Sequence, residues 1–382
     1  MSLLWTNRGR GSAAYRVLGL LVALLLLCIV TTIRVFALAS TAHGSAIRLT
    51  SLHMITPMVG WAENDSSMFH TADGGRSWTN ANPPGFQGFT GNMSRVTFDA
   101  NHAWVATRGS TSADVVLHTI DAGRTWKRVD VHVADKQEFA PEFSSLVVSN
   151  DRYVWLTTSY AGLHEQIQGI FSTDDGGVRW RRIGRALPIS AVVALLTPRV
   201  ALGIRGGGGA ALPAIYRSTD TGHSWHRSLL ALPHGYQTDT LQIVPPTFSG
   251  PQRGVLPTVA FYETSKRNAA LIVYSTDDGG VHWKSGSPLV LDTRAPHVVV
   301  TFADAEHGWV GIGTALFTTS LAGRQWRRVA SALRFNSGSP LQLVTAEVGF
   351  ALTGRSVGIG YPMLSRTNDG GRTWVSWIPR RA

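Results

Sequence analysis

The sequence predicts an all-β chain: a seven-bladed β-propeller preceded by an N-terminal transmembrane helix. Three observations predict it. A tryptophan-ended motif recurs seven times, its copies lie 43 to 58 residues apart, and a 17-residue uncharged run precedes the first copy. In chain order the copies are TADGGRSW ending at Trp78, TIDAGRTW at Trp126, TDDGGVRW at Trp180, STDTGHSW at Trp225, TDDGGVHW at Trp283, TSLAGRQW at Trp326 and TNDGGRTW at Trp374. The successive spacings are 48, 54, 45, 58, 43 and 48 residues, the period of a four-stranded propeller blade.

Each period repeats one internal order. A first apolar stretch such as SRVTFDA or HVVVTFAD is followed by a second, such as HAWVAT or HGWVGIG. A third, such as VVLHT or ALFTT, runs directly into the motif, whose tryptophan opens a fourth. Enrichment in Val, Ile, Thr and aromatic residues with alternating polarity favours strands over helices. Seven such units account for residues 47–382, behind a basic tail (1–16), a membrane segment (17–39) and a linker (40–46).

The motif reads as a turn. The carboxylates of Asp73, Asp121, Asp175, Asp220, Asp278 and Asp369 are placed to accept backbone N–H groups of their own turns. The glycine three residues before each tryptophan suits a positive φ, and the tryptophan supplies a large apolar face between strands. A catalytic aspartate is needed once or twice, whereas a fold needs its corner in every blade. The sixth copy carries Leu321 where the others carry aspartate, so its turn is expected to be held differently.

These stretches resemble Asp-box, or BNR, repeats. Their arrangement is similar to that of sialidase-like propellers and of the photosystem II stability and assembly factor family. The assembly-factor resemblance implies a noncatalytic binding or assembly scaffold. The sialidase resemblance implies, as the alternative, a glycoside hydrolase acting on an anionic glycan. That alternative requires an arginine cluster for the anionic substrate and a nucleophile with a general base. Tyr262 and Glu263 are the candidate pair, although neighbours on an extended segment point to opposite sides and need a loop or bulge to cooperate. The arginine-isoleucine-proline element of sialidases is absent.

The run Val17 to Ile33 makes a helix about 25 Å long, which flanking residues to Ala39 extend across a bilayer. Arg8, Arg10 and Arg16 before it and Arg34 after it favour a cytoplasmic N-terminus and an exported, membrane-anchored body. Ala37-Leu38-Ala39 has the form of a signal-peptidase site, so secretion after cleavage near Ala39 is the competing expectation. Cys28, the only cysteine, lies in this run, which excludes internal disulfides and cysteine metal sites.

The formal charge of +11 is spread over the chain without a long basic run, giving a basic surface that attracts anionic partners. The variable loops opposite the motif turns are the expected place for recognition. The candidate ligand-binding residues there are Arg108, Glu165, Arg205, Lys266, Arg267 and Arg355. Arg108, Arg205 and Arg355 recur near the ends of second strands, where guanidinium groups pair with carboxylate or phosphate. A secondary basic rim is expected at Arg128, Arg182, Arg227 and Arg328, which begin the outermost strands. Charged edge strands also keep other chains from pairing. The 13 histidines are dispersed, and neither a metal site nor a cofactor is implied. The expected partner is an acidic protein surface or an anionic envelope polymer or glycan, with no nucleic acid.

Overall fold

The computed structural model describes residues 44–382, apart from 86–92, 109–112, 133–140, 162–165, 185–190, 206–213, 235–239, 262–267, 293–297, 336–339 and 356–361. The chain divides into two units, Met1–Ser45 with Ala382, and Ala46–Arg381. The second is a seven-bladed β-propeller, with seven sheets among the described residues.

Blade 2 shows how the sequence builds a blade. Its strands are Ser94–Thr97, Ala103–Arg108, Ala113–Thr119 and Lys127–His132, each antiparallel to the next in sequence order. Short apolar runs separated by turn residues zip into consecutive hairpins, which need no long crossover. Ala103, Trp104, Val105 and Ala106 are all fully buried. Successive strand residues face opposite ways, so complete burial requires a neighbour on both faces. Trp104 and Ala106 pack with Leu146, Val154 and Phe171 of blade 3, whereas Ala103 and Val105 pack with Trp61, Met68 and Ala81 of blade 1. The second strand of blade 2 is therefore continuously apolar from Ala103 to Ala106, without the alternation expected from the sequence.

Three blades depart from four strands. In blade 5, Pro245 and Pro246 lie between Thr240–Ile243 and Thr247–Ser249, both of which pair with Arg253–Phe261. Proline donates no ladder hydrogen bond, so the first strand is split there. The fourth is split as well, into Lys284–Ser285 and Leu289–Asp292 on either side of Pro288. In blade 6 the second and third strand positions form one run, Gly308–Thr319, whose first part pairs with Val299–Phe302 and whose last part pairs with Arg327–Phe335. Gly313, at φ 55°, lies where the pairing changes partner.

Blade 1 gains a fifth strand, which closes the ring. After the last strand of blade 7, Val375–Trp377, the chain crosses to blade 1, where Arg380–Arg381 pairs in parallel with Ser77–Asn80. Ala46 bridges Arg380, and Ile47 N–H donates to the Pro379 carbonyl at 2.9 Å. The Gln342 amide clasps Met54 across the seam, accepting from its N–H at 2.6 Å and donating to its carbonyl at 2.9 Å. Trp377 Nε1 donates to the Gly75 carbonyl at 2.8 Å, and one core joins Trp78 and Phe69 of blade 1 to Phe350 and Leu364 of blade 7. The N-terminal segment 47–50 thus pairs near the C-terminus without belonging to the last blade.

The expected transmembrane helix at 17–39 lies outside the described residues. Among the described residues, no helix is long and apolar enough to cross a membrane.

Candidate binding surfaces and the Asp-box edge

The recurrent motif is a fastened turn. In the six copies that carry aspartate, the carboxylate accepts the hydroxyl two residues earlier at 2.7–2.9 Å. It also accepts the N–H four residues later at 2.8–3.0 Å. In all seven copies that same hydroxyl accepts the N–H of the glycine three before the tryptophan, at 2.8–3.1 Å. The residue before this glycine donates its N–H to the carbonyl of the turn joining the first and second strands of its blade. Both carboxylate oxygens of each aspartate accept hydrogen bonds within the turn.

These bonds depress the carboxyl groups. The Thr125 hydroxyl, then its N–H, holds Asp121 down at about 2, and Thr373 acts the same way on Asp369. The folded-state value lies below the ordinary value near 3.8. The stabilisation is therefore complete above pH 4 and lost as pH falls from about 4 toward 2, where the unfolded chain takes up protons first. Unfolding midpoints are expected to fall gently from pH 7 to 5, where the unfolded chain protonates a histidine that burial holds at about 4 in the folded state (His118), and steeply below 4. Thermal melts at stepped pH check this.

Two consecutive residues in each turn have positive φ. The glycine three before the tryptophan spans 79–88°, and the residue before it is non-glycine in three copies, at Ala122 (61°), Thr221 (63°) and Ala322 (55°). The left-handed region penalises a Cβ and is worst for a branched one. Thr221→Gly is expected to stabilise the chain by about 0.5–1 kcal/mol after the glycine entropy cost, read as a raised denaturation midpoint.

The sixth turn differs as its sequence implies. Thr319 Oγ1 still accepts the N–H groups of Leu321 at 3.2 Å and Gly323 at 3.1 Å, and Gly323 keeps φ 79°. Leu321 is 48% exposed, whereas the six aspartates are half-buried. Beside it opens a cavity of about 450 Å³ between this turn and that of blade 7.

The expected loop-face residues fare unequally. Arg108, Arg205 and Arg355 each end the second strand of their blade, in Ala103–Arg108, Ala201–Arg205 and Gly349–Arg355. Since the Asp-box joins strands three and four, these strand ends lie at the opposite edge. Glu165, Tyr262, Glu263, Lys266 and Arg267 lie outside the described residues. The rim residues Arg128, Arg182, Arg227 and Arg328 lie in outermost strands and are exposed, as are Lys127, Arg181, His226 and Arg327 beside them. Both members of each pair reach solvent. Arg128 pairs with Asp130 at 3.0 Å, an exposed contact of small energetic value. His70 and His118 lie in third strands, and His118 stacks on Trp104 with ring centroids 3.6 Å apart.

A second basic feature escaped the sequence reading. The residue two before the tryptophan is Arg76 in blade 1, Arg124 in blade 2, Arg324 in blade 6 and Arg372 in blade 7, all exposed. With the ring closed between blades 7 and 1, these four blades are consecutive, whereas blades 3 and 5 carry exposed Val178 and Val281. Reading the variable column of the stacked motifs, together with circular closure, reveals this arc.

Residues 47–183 match the family model described as Photosynthesis system II assembly factor YCF48. The motif copies ending at Trp78, Trp126 and Trp180 lie within that match. The match runs from the start of blade 1 into the fourth strand of blade 3, Arg181–Gly184. No curated protein matches. Among solved structures, "YCF48 bound to D1 peptide" is 15% identical at TM-score 0.47, covering 86% of this chain and 96% of that one. A polysaccharide lyase of family PL25, an ulvan lyase, is 11% identical at TM-score 0.44, covering 76% and 81%. The α-L-arabinanase of Penicillium chrysogenum complexed with arabinobiose is 13% identical at TM-score 0.41, covering 85% and 98%.

Proposed function

We propose that the chain is a noncatalytic binding and assembly scaffold, held at a membrane by residues 17–39 and working on the outer side. The observation that carries this reading is the match of blades 1 to 3 to an assembly-factor family. Such a factor acts on another protein, and the chain's charge of +11 gives that partner its sign: an acidic surface. Arg108, Arg205 and Arg355 at the loop edge are the proposed primary contacts, with the exposed arginines of the outermost strands as a secondary docking rim.

In-cell crosslinking of the intact chain, followed by pull-down, tests the reading. A specific acidic partner is expected, and its recovery is expected to fall at least tenfold when Arg108, Arg205 and Arg355 are all changed to glutamine. Glycan hydrolysis by purified protein, abolished by changing Tyr262 or Glu263 with folding intact, contradicts it. The anchor is tested separately by the N-terminus of the membrane-fraction protein. A mature chain beginning at Ser40 removes the anchor and leaves export in place.

A further inference from the structure

In six turns an internal carboxylate satisfies two donors: the hydroxyl that opens the motif and the N–H of the residue before the tryptophan. In the sixth turn these donors are Thr319 and Gln325, and the residue that supplies the carboxylate elsewhere is Leu321. Thr319 Oγ1 accepts two backbone N–H groups, so its lone pairs are engaged and its proton lacks the carboxylate acceptor that the other turns provide. The turn keeps its shape, with Ala322 at φ 55° and Gly323 at 79°, so the donors are held as in the other copies. The leucine side chain is 48% exposed and offers no acceptor where the other turns have a carboxylate. At this point the cavity of about 450 Å³ opens, lined by Thr319, Leu321, Gln325 and Arg327 of blade 6 and by Glu347 and Arg372 of blade 7.

We propose that the sixth turn is a docking site for a carboxylate supplied by a partner protein, either an acidic side chain or a free chain end. The incoming carboxylate accepts from the Thr319 hydroxyl and the Gln325 N–H, completing in trans the bonds that the other boxes make internally. Arg327 and Arg372 neutralise its charge, a charge-assisted arrangement that is stronger than a neutral hydrogen bond. Leu321 provides an apolar wall for the methylene or backbone atoms behind the carboxylate. Glu347 and Asp369 at the same cavity oppose a multiply charged anion, so a single carboxylate is favoured over phosphate. The site lies at the Asp-box edge, opposite Arg108, Arg205 and Arg355, and stands independently of the loop-edge reading.

Saturation-transfer NMR on the full chain tests it with two short peptides. One carries a single internal glutamate and an amidated end; the other has no acidic side chain and a free C-terminal carboxylate. At least one is expected to bind saturably, and the responding peptide names the source of the carboxylate. Leu321→Asp restores the internal carboxylate, so it is expected to raise the unfolding midpoint and weaken peptide binding at least tenfold. Arg372→Gln, which leaves the turn bonds of Thr319 intact, is expected to weaken binding several-fold. Failure of both peptides to bind overturns the proposal. So does equal binding by Leu321→Asp, or displacement of the peptide by inorganic phosphate at lower concentration than by acetate.

Discussion

A Trp78→Ala chain is expected to lose about 3–5 kcal/mol of stability, the range for truncating a large buried aromatic side chain. Trp78 is fully buried, whereas its counterparts Trp126, Trp180, Trp225, Trp283, Trp326 and Trp374 are half-buried. The difference comes from closure: Arg380–Arg381 pairs against Ser77–Asn80, with Arg381 opposite Trp78, and covers an outer edge that the other blades leave open. Its indole also donates to the Gly75 carbonyl at 3.0 Å, an acceptor shared with Trp377 from blade 7. Removing the ring therefore opens the seam where the first and last blades meet. Trp225→Ala, at a half-buried site in blade 4, is expected to cost clearly less. Equal denaturation midpoints for the two variants contradict this account of closure.

Gly123→Ala is the second large effect, with an expected loss of about 3 kcal/mol. Gly123 has φ 83°, where a Cβ costs about 1–2 kcal/mol. A Cβ there also meets Ala81 Cβ at 2.5 Å and the Ala81 backbone at 2.9 Å, so neither atom can rotate away. Overpacking of this kind adds about 1–3 kcal/mol. The same logic governs the corresponding glycines, which approach the preceding blade: a Cβ at Gly177 would meet Trp104 at 2.6 Å and one at Gly323 would meet Val273 at 2.6 Å. The glycine is thus both a turn residue and the contact that sets one blade against the next. A denaturation midpoint unchanged by Gly123→Ala contradicts this.

Much of this was legible in the sequence, for physical reasons that differ from element to element. Seven copies of one turn at blade spacing announce the strand order, because each copy must satisfy the same backbone donors locally. The roles of Asp73 and its counterparts followed from local chemistry alone. The closing strand did not, since Arg380–Arg381 is two residues long and its partner lies at the other end of the chain. The split strands of blade 5 had a signal in Pro245-Pro246, which the period count passed over. At the candidate sites, the strand-end placement of Arg108, Arg205 and Arg355 was legible because a strand's length gives its end. The cavity beside Leu321 was not, since it depends on two blades facing each other across a turn that lost its carboxylate.

The central claim is that the aspartate boxes hold the scaffold while recognition sits elsewhere, and crosslinked partner recovery per folded molecule tests it most directly. Asp73→Ala removes the acceptor of the Arg76 and Ser77 N–H groups and the Thr71 hydroxyl. A loss of about 2 kcal/mol is expected from these charge-assisted bonds, with partner recovery per folded molecule unchanged. Changing Arg108, Arg205 and Arg355 to glutamine is expected to do the reverse, leaving the melting midpoint level and cutting recovery at least tenfold. The account is contradicted if Asp73→Ala abolishes recovery while the protein remains folded and the triple variant captures its partner as well as the native chain does.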